Sequence, residues 1–225
     1  MLRLHDWAPS PFCHKVRAIL AYKGLAYERL PVTVARMQDL AERGANGKVP
    51  VLEIDGVLVS DSTAIALAVD GIQPEPPLMP ASSREAALCQ VLEDWADEAI
   101  YFNGLHYHWR DPAGRTQTAA YFAGQGPEIA PMFDPLAALT ADQLVGHGTA
   151  RRIDDVILDE TSKQMASVAS LVSVTPFLMG EQPYLCDFAV VAQVVYLSRA
   201  PTTAAMIAAQ PALTRYVETM KALTR

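Results

Sequence analysis

Residues 49–59 constrain this chain most. Val49-Pro50-Val51-Leu52-Glu53-Ile54 and Val57-Leu58-Val59 are β-forming runs parted by Asp55-Gly56. An Asp-Gly pair between such runs closes a two-residue hairpin. The segments before it alternate. Leu2-Arg3-Leu4-His5 has a strand's period of two. Ser10-Pro11 opens a helix, carried by Val16, Ile19 and Leu20 and closed by Gly24. Residues 27–34 are β-rich, 36–43 read as a short polar helix, and Asp61-Ser62 caps a third helix through Val69. The order is β-α-β-α-β-β-α.

Gly71, Pro74, Pro76, Pro77 and Pro80 then break the pattern. No convincing strand follows. Residues 83–110 show apolar groups at helical spacing, with a stripe of Trp95, Ala99, Phe102, His106 and Trp109. Residues 151–172, 185–198 and 211–223 read as helices, the middle one nearly all apolar and so buried. Residues 111–148 are rich in Gly and Pro and are expected to form short helices and loops. The fold class is an α/β domain followed by an all-helical one: 1–75, a linker at 76–82, and 83–225.

Charge and composition exclude several functions. Of 225 residues, 51% are hydrophobic and 19% charged, which excludes a disordered chain. The net charge of −7 argues against nucleic acid as a partner. Residues 1–80 carry 8 basic and 9 acidic side chains, net −1; the remaining 10 and 16 give −6. A small anionic ligand therefore meets less repulsion in the first segment. The longest uncharged run, 164–180, is interrupted by Ser, Thr and Pro, so no membrane span is expected. Arg3, His5 and Asp6 leave no apolar signal-peptide core, and a cytoplasmic protein is expected. Three widely spaced cysteines, Cys13, Cys89 and Cys186, support neither a disulfide framework nor a zinc site. His106 and His108 point about 200° apart on a helix, so no metal is expected.

With these elements in place the chain resembles the cytosolic glutathione transferase superfamily. Ala8-Pro9-Ser10-Pro11-Phe12-Cys13-His14-Lys15-Val16-Arg17 is similar to that family's catalytic loop and first helix. Gly47-Lys48-Val49-Pro50-Val51-Leu52 resembles its cis-proline segment, and Asp61-Ser62-Thr63-Ala64-Ile65 its acidic-Ser helix start. Pro176-Phe177-Leu178-Met179-Gly180, running to Asp187-Phe188-Ala189, resembles the entry to its buried helix. Tyr184 departs from the pattern: it stands where the family has a capping Ser or Thr, which puts the reciprocal cap in doubt.

The resemblance implies a thioredoxin-like N-terminal domain, a helical C-terminal domain and a homodimer. It implies glutathione as co-substrate, no metal, and a hydrophobic small-molecule electrophile, a detoxifying chemistry. Ser10 would hydrogen-bond the glutathione thiolate; read from its residues alone it is equally a plain N-cap. Lys48 would meet the glycyl carboxylate, or be a solvated loop lysine. The Val49 backbone would pair with the tripeptide ahead of a cis Pro50, whereas most X-Pro bonds are trans. Ser62 and the helix N–H groups would take the γ-glutamyl carboxylate and Asp61 its ammonium, the alternative being a capping pair. Cys13, in the first turn of the helix, is expected to have a lowered pKa. It offers a second chemistry, glutathione-dependent thiol transfer, or is a small buried apolar residue. Tyr107, His108 and Trp109 are the candidates for an electrophile pocket, with 111–148 as its cover; Trp95 and Phe102 read as core. A non-catalytic ligand-carrying module is the remaining alternative.

Overall fold

The computed structural model describes residues 1–224. Its first part is β1 (Leu2–Asp6), α1 (Pro11–Tyr22), β2 (Glu28–Pro31), α2 (Val34–Glu42), β3 (Val51–Ile54), β4 (Val57–Ser60) and α3 (Ser62–Ile72). The strands form one mixed sheet in the order β2-β1-β3-β4. β1 runs parallel to β2 and antiparallel to β3, and the β3–β4 hairpin turns at Asp55 and Gly56, both at positive φ. The architecture is the thioredoxin-like domain the resemblance implies.

Every later element is helical: α4 (Ser83–Trp95), α5 (Tyr101–Trp109), α6 (Pro112–Ala123), α7 (Phe133–His147), α8 (Asp154–Leu171), α9 (Leu185–Arg199), α10 (Pro201–Ala208) and α11 (Pro211–Leu223). A π-helical turn at Ala96–Ile100 joins α4 to α5. Helix α9 is buried along most of its length, as its composition implies. Apolar side chains of α1, α3, α4, α8, α9 and α11 share one core that crosses between the two parts.

Residues 111–148 differ from expectation. They hold two full helices, because the breakers stand at helix ends instead of inside them. Pro112 is the first residue of α6 and Gly124 its C-cap; Gly148, at φ +99°, ends α7. Two other departures have the same root. Helix α3 runs through Gly71 to Ile72, and Pro201 starts the unforeseen α10. The connector is tied down by the buried Lys23, whose ammonium donates to the Asp70 carboxylate and the carbonyls of Gln73, Pro74 and Pro76.

The entry to α9 keeps half of the expected cap. Asp187 accepts the Tyr184 N–H (2.9 Å) and the Leu178 N–H (2.9 Å), and the Tyr216 hydroxyl donates to it at 2.9 Å. The other half comes from the backbone, with Asp187 N–H donating to the Tyr184 carbonyl at 2.8 Å. Tyr184 therefore replaces a capping hydroxyl with main chain.

Candidate functional site

A cleft of about 1140 Å³ opens between the sheet domain and the helices. One end is made by the loop before α1, the loop before β3 and the start of α3. The other is made by α5, α6 and α7, where Phe102, Leu105, Trp109, Phe122 and Leu136 give it an apolar wall.

Ser10 stands at the boundary. It is the N-cap of α1, and its Oγ accepts the Cys13 N–H at 3.2 Å. One lone pair is used by the cap, so the hydroxyl proton is free to donate into the cleft that Ser10 lines. The capping and ligand-binding readings of Ser10 are thus compatible.

Cys13 has a different setting. It is fully buried, does not line the cleft, and its Sγ accepts the Trp7 N–H at 3.4 Å. Burial pushes its thiol up to about 12, overcoming the Trp7 hydrogen bond. The expected lowering is corrected: desolvation outweighs the helix terminus.

Lys48, Val49, Pro50, Asp61 and Ser62 all line the first end. The Val49–Pro50 peptide is cis. Lys48 is exposed, on a loop held by its own N–H to Asn46 Oδ1 at 3.0 Å. Asp61 caps α3: its Oδ1 accepts the N–H groups of Thr63 (2.9 Å) and Ala64 (3.1 Å). It does so from φ +86°, a backbone setting a non-glycine residue rarely holds.

Beneath Ser62 lies a group the sequence reading missed. Lys15, on α1, is wholly buried, and its ammonium donates to Ser62 Oγ (3.3 Å), Thr63 Oγ1 (3.3 Å), Asp97 Oδ2 (2.7 Å) and Glu93 Oε1. Asp97 lies in the π-helical turn and lines the cleft. Its other oxygen, Oδ1, is buried without a hydrogen-bond partner. Burial raises the Asp97 carboxyl to about 6, with the Lys15 charge acting against the rise. Asp94 and Glu98 line the same wall. The signal was present in the sequence: Glu93 falls on the buried stripe of Cys89, Ala96 and Ile100, and Asp97 is one turn further on.

At the electrophile end His108 and Trp109 line the cleft, and Tyr107 does not. Tyr107 is buried on the opposite side of α5 among the core residues, so that expectation is corrected. Three consecutive residues span about 200° of a helix, so Tyr107, His108 and Trp109 cannot all face one cleft. His108 Nε2 lies 2.9 Å from the Tyr196 carbonyl, to which only an N–H can donate, and its ring stacks on Tyr196 at 4.0 Å. Burial lowers its pKa. Trp95 is half-buried against the core; Phe102, expected in the core, faces the cleft. Among the described residues no cluster fit to hold a metal ion occurs, and no helix is long and apolar enough to cross a membrane.

Comparison with known proteins agrees with this geometry. Residues 4–77 match the family model "Glutathione S-transferase, N-terminal domain". The chain is 36% identical over 111 residues to glutathione S-transferase Z1 of Arabidopsis thaliana, 48% of each protein. It is 27% identical over 97 residues to the maleylacetoacetate isomerase of Rattus norvegicus, 40% of this chain and 45% of that one. These matches span about half the length of the curated relatives. A crystal structure of a glutathione S-transferase from Methylobacterium radiotolerans, in complex with glutathione sulfonate, superposes at TM-score 0.60 and 25% identity, covering 98% of this chain and 90% of that one. Residues 4–77 therefore belong to the glutathione S-transferase N-terminal domain family, and the chain as a whole has the fold of the glutathione transferases.

Proposed function

We propose that the protein is a glutathione transferase in which Ser10 stabilises the thiolate of bound glutathione for attack on a hydrophobic electrophile. The observation that carries this is the pairing at the mouth of α1: a hydroxyl with a free proton facing the cleft, and a thiol sealed beneath it. A free thiol ionises near ~8.5, and lowering that by about two units takes ~2.7 kcal/mol. A hydroxyl hydrogen bond to an anion supplies roughly 1.5–3 kcal/mol and the helix terminus roughly 0.3–1 kcal/mol. The two together supply about 1.8–4 kcal/mol, a range that brackets what is needed. Ser10→Ala is then expected to lower kcat/KM about 10- to 150-fold, the rate equivalent of that hydrogen bond. Cys13→Ala should keep most of the activity. Steady-state conjugation assays on both variants check this; loss of turnover in the cysteine variant alone would favour thiol transfer.

In this reading residues 1–75 hold glutathione, 76–82 connect, and the helices from 83 onward hold the electrophile. Lys48 meets the glycyl carboxylate, the Val49 backbone pairs with the tripeptide like an added strand, and Ser62 takes the γ-glutamyl carboxylate. Ser62 Oγ accepts from Lys15, which leaves its proton to donate to that carboxylate. The ammonium is met by Asp61, whose Oδ2 takes no part in the cap, and by Asp97, whose Oδ1 has no partner.

A pH dependence follows. The folded pKa of Asp97 lies above its unfolded value, so the native state holds a proton the unfolded chain has released, and stability falls as pH rises from about 4 to about 6. Ammonium capture needs the carboxylate and has the opposite sign. Glutathione affinity, measured by calorimetry, is expected to weaken by up to about tenfold from pH 7 to pH 5. Asp97→Asn should bind more weakly at pH 7 and lose this slope; an unchanged slope would remove Asp97 from the site.

Similarity to a maleylacetoacetate isomerase favours one other use of the same thiolate: addition to a conjugated alkene followed by departure, with no net conjugation. The resemblance also implies a homodimer. Val57, Leu67, Ile72, Leu88 and Val91, exposed on β4, α3 and α4, offer apolar surface for a second copy. Three free buried cysteines suit a reducing cytoplasm.

A further inference from the structure

At one corner of the cleft the balance of charge reverses. Arg17 and Arg29 both donate to the buried Asp6 carboxylate, and Arg17 Nη2 also reaches the Ala8 carbonyl at 3.3 Å. Arg199, the last residue of α9, is close enough that the Arg17 charge opposes its own. Among the described residues Arg199 donates no hydrogen bond and forms no ion pair, yet it lines the cleft. Arg17 and Arg29 therefore take up the one carboxylate, and among the described residues Arg199 stands beside Arg17 without a counter-charge of its own. The corner carries an excess of two positive charges in a chain whose net charge is −7.

Tyr121 lines the cleft beside it and feels both Arg29 and Arg199. Burial raises the Tyr121 pKa, so its hydroxyl keeps its proton and remains a donor. A guanidinium fork and a phenol hydroxyl match the oxygens of a carboxylate. Glutathione does not need them, since its two carboxylates and its ammonium are met by Lys48, Ser62, Asp61 and Asp97. Arg199 belongs instead with Tyr121, Tyr196 and the apolar wall of α5, α6 and α7.

We propose that Arg199, with the Tyr121 hydroxyl, is the anion-recognition pair of the electrophile end, and that the second substrate is an aromatic or apolar electrophile bearing a carboxylate. This rests on the glutathione reading above. Attack is unaltered: the thiolate carbon–sulfur bond forms, the leaving group departs with its electron pair, and the carboxylate is held without reacting.

A matched pair tests it, 4-chloro-3-nitrobenzoate and its methyl ester. The carboxylate and the ester differ in intrinsic reactivity, but that difference cancels when the acid-to-ester ratio of kcat/KM is compared between variants. The ratio is expected to fall about tenfold in Arg199→Gln, the loss residing in KM for the acid, a figure that allows for the solvent-exposed part of the side chain. Arg199→Lys should recover part of it. An unchanged ratio overturns the proposal. Calorimetric titration of the acid alone keeps the two claims separable. If neither compound is conjugated, the transferase reading fails, while binding of the acid by the wild type and its loss in Arg199→Gln still supports the anion site. No binding, or equal binding by both proteins, overturns it.

Discussion

Replacing Lys15 with methionine is expected to cost about 3–5 kcal/mol of stability, the range seen when one partner of a buried ion pair is removed. The Lys15 ammonium is wholly buried on α1, and its counter-charges, Glu93 and Asp97, come from α4 and the π-helical turn. Methionine fills a similar volume, so the loss reflects the stranded charges and not a cavity. Glu93 is as buried as Lys15 and would keep only the Thr63 hydroxyl. Urea unfolding at pH 7 measures the effect as a fall in midpoint with the slope conserved. Adding Glu93→Gln should restore much of the loss, because it removes the stranded charge. A loss under about 1 kcal/mol, or no rescue, would show that water reaches the pair and screens it. The folded fraction of the variant should also bind glutathione more weakly, since Ser62 would lose the donor that turns its proton toward the ligand.

The second large effect is expected at Gly114. This residue lies in the first turn of α6, and a Cβ there would meet the Tyr107 carbonyl oxygen at 1.7 Å and its carbon at 2.8 Å. The obstacle is α5 backbone, which cannot rotate aside. One hydrogen bond joins the helices at that separation, Thr118 Oγ1 to the His108 carbonyl (2.8 Å), while the Gly114 N–H is taken by the α6 cap, Asp111 Oδ2 (3.0 Å). Helix propensity alone predicts that Gly114→Ala stabilises α6 by about 0.5–1 kcal/mol. The collision predicts a loss of about 3 kcal/mol or more, so even the sign decides between them. Because Gln117, Thr118 and Tyr121 of α6 line the cleft, a displaced α6 should also weaken electrophile binding. Urea unfolding of the variant provides the measurement.

Both effects lie where the sequence is hard to read. The sheet domain was legible because each short element has its own marker: Ser10-Pro11, Asp55-Gly56 and Asp61-Ser62 all fall where the turns and caps occur. The helical part was less so. In residues 111–148 the same breakers mark helix ends, and Gly114 serves a close crossing that no local rule reveals. Tyr107 does not join His108 and Trp109 at the cleft because three consecutive residues span about 200° of a helix and cannot all face one way. Lys15 falls within the motif of the catalytic loop and first helix, which says nothing of its burial on the face of α1 that holds Ile19. Its partners lie 78 and 82 residues away, a pairing set by tertiary packing. Arg199 carried no signal, since a basic residue in a helix's last turn is ordinary. What distinguishes it is that it lines a cavity with no partner among the described residues.

The pKa of the thiol of bound glutathione tests the central claim most directly. Thiolate absorbs in the ultraviolet, so a pH titration of the binary complex reports its ionisation without any second substrate. The wild type should show the bound thiol titrating about two units below a free thiol, and Ser10→Ala should return it close to the free value. A bound thiol that titrates like free glutathione in the wild type, or a lowered value that survives in Ser10→Ala, would contradict the account.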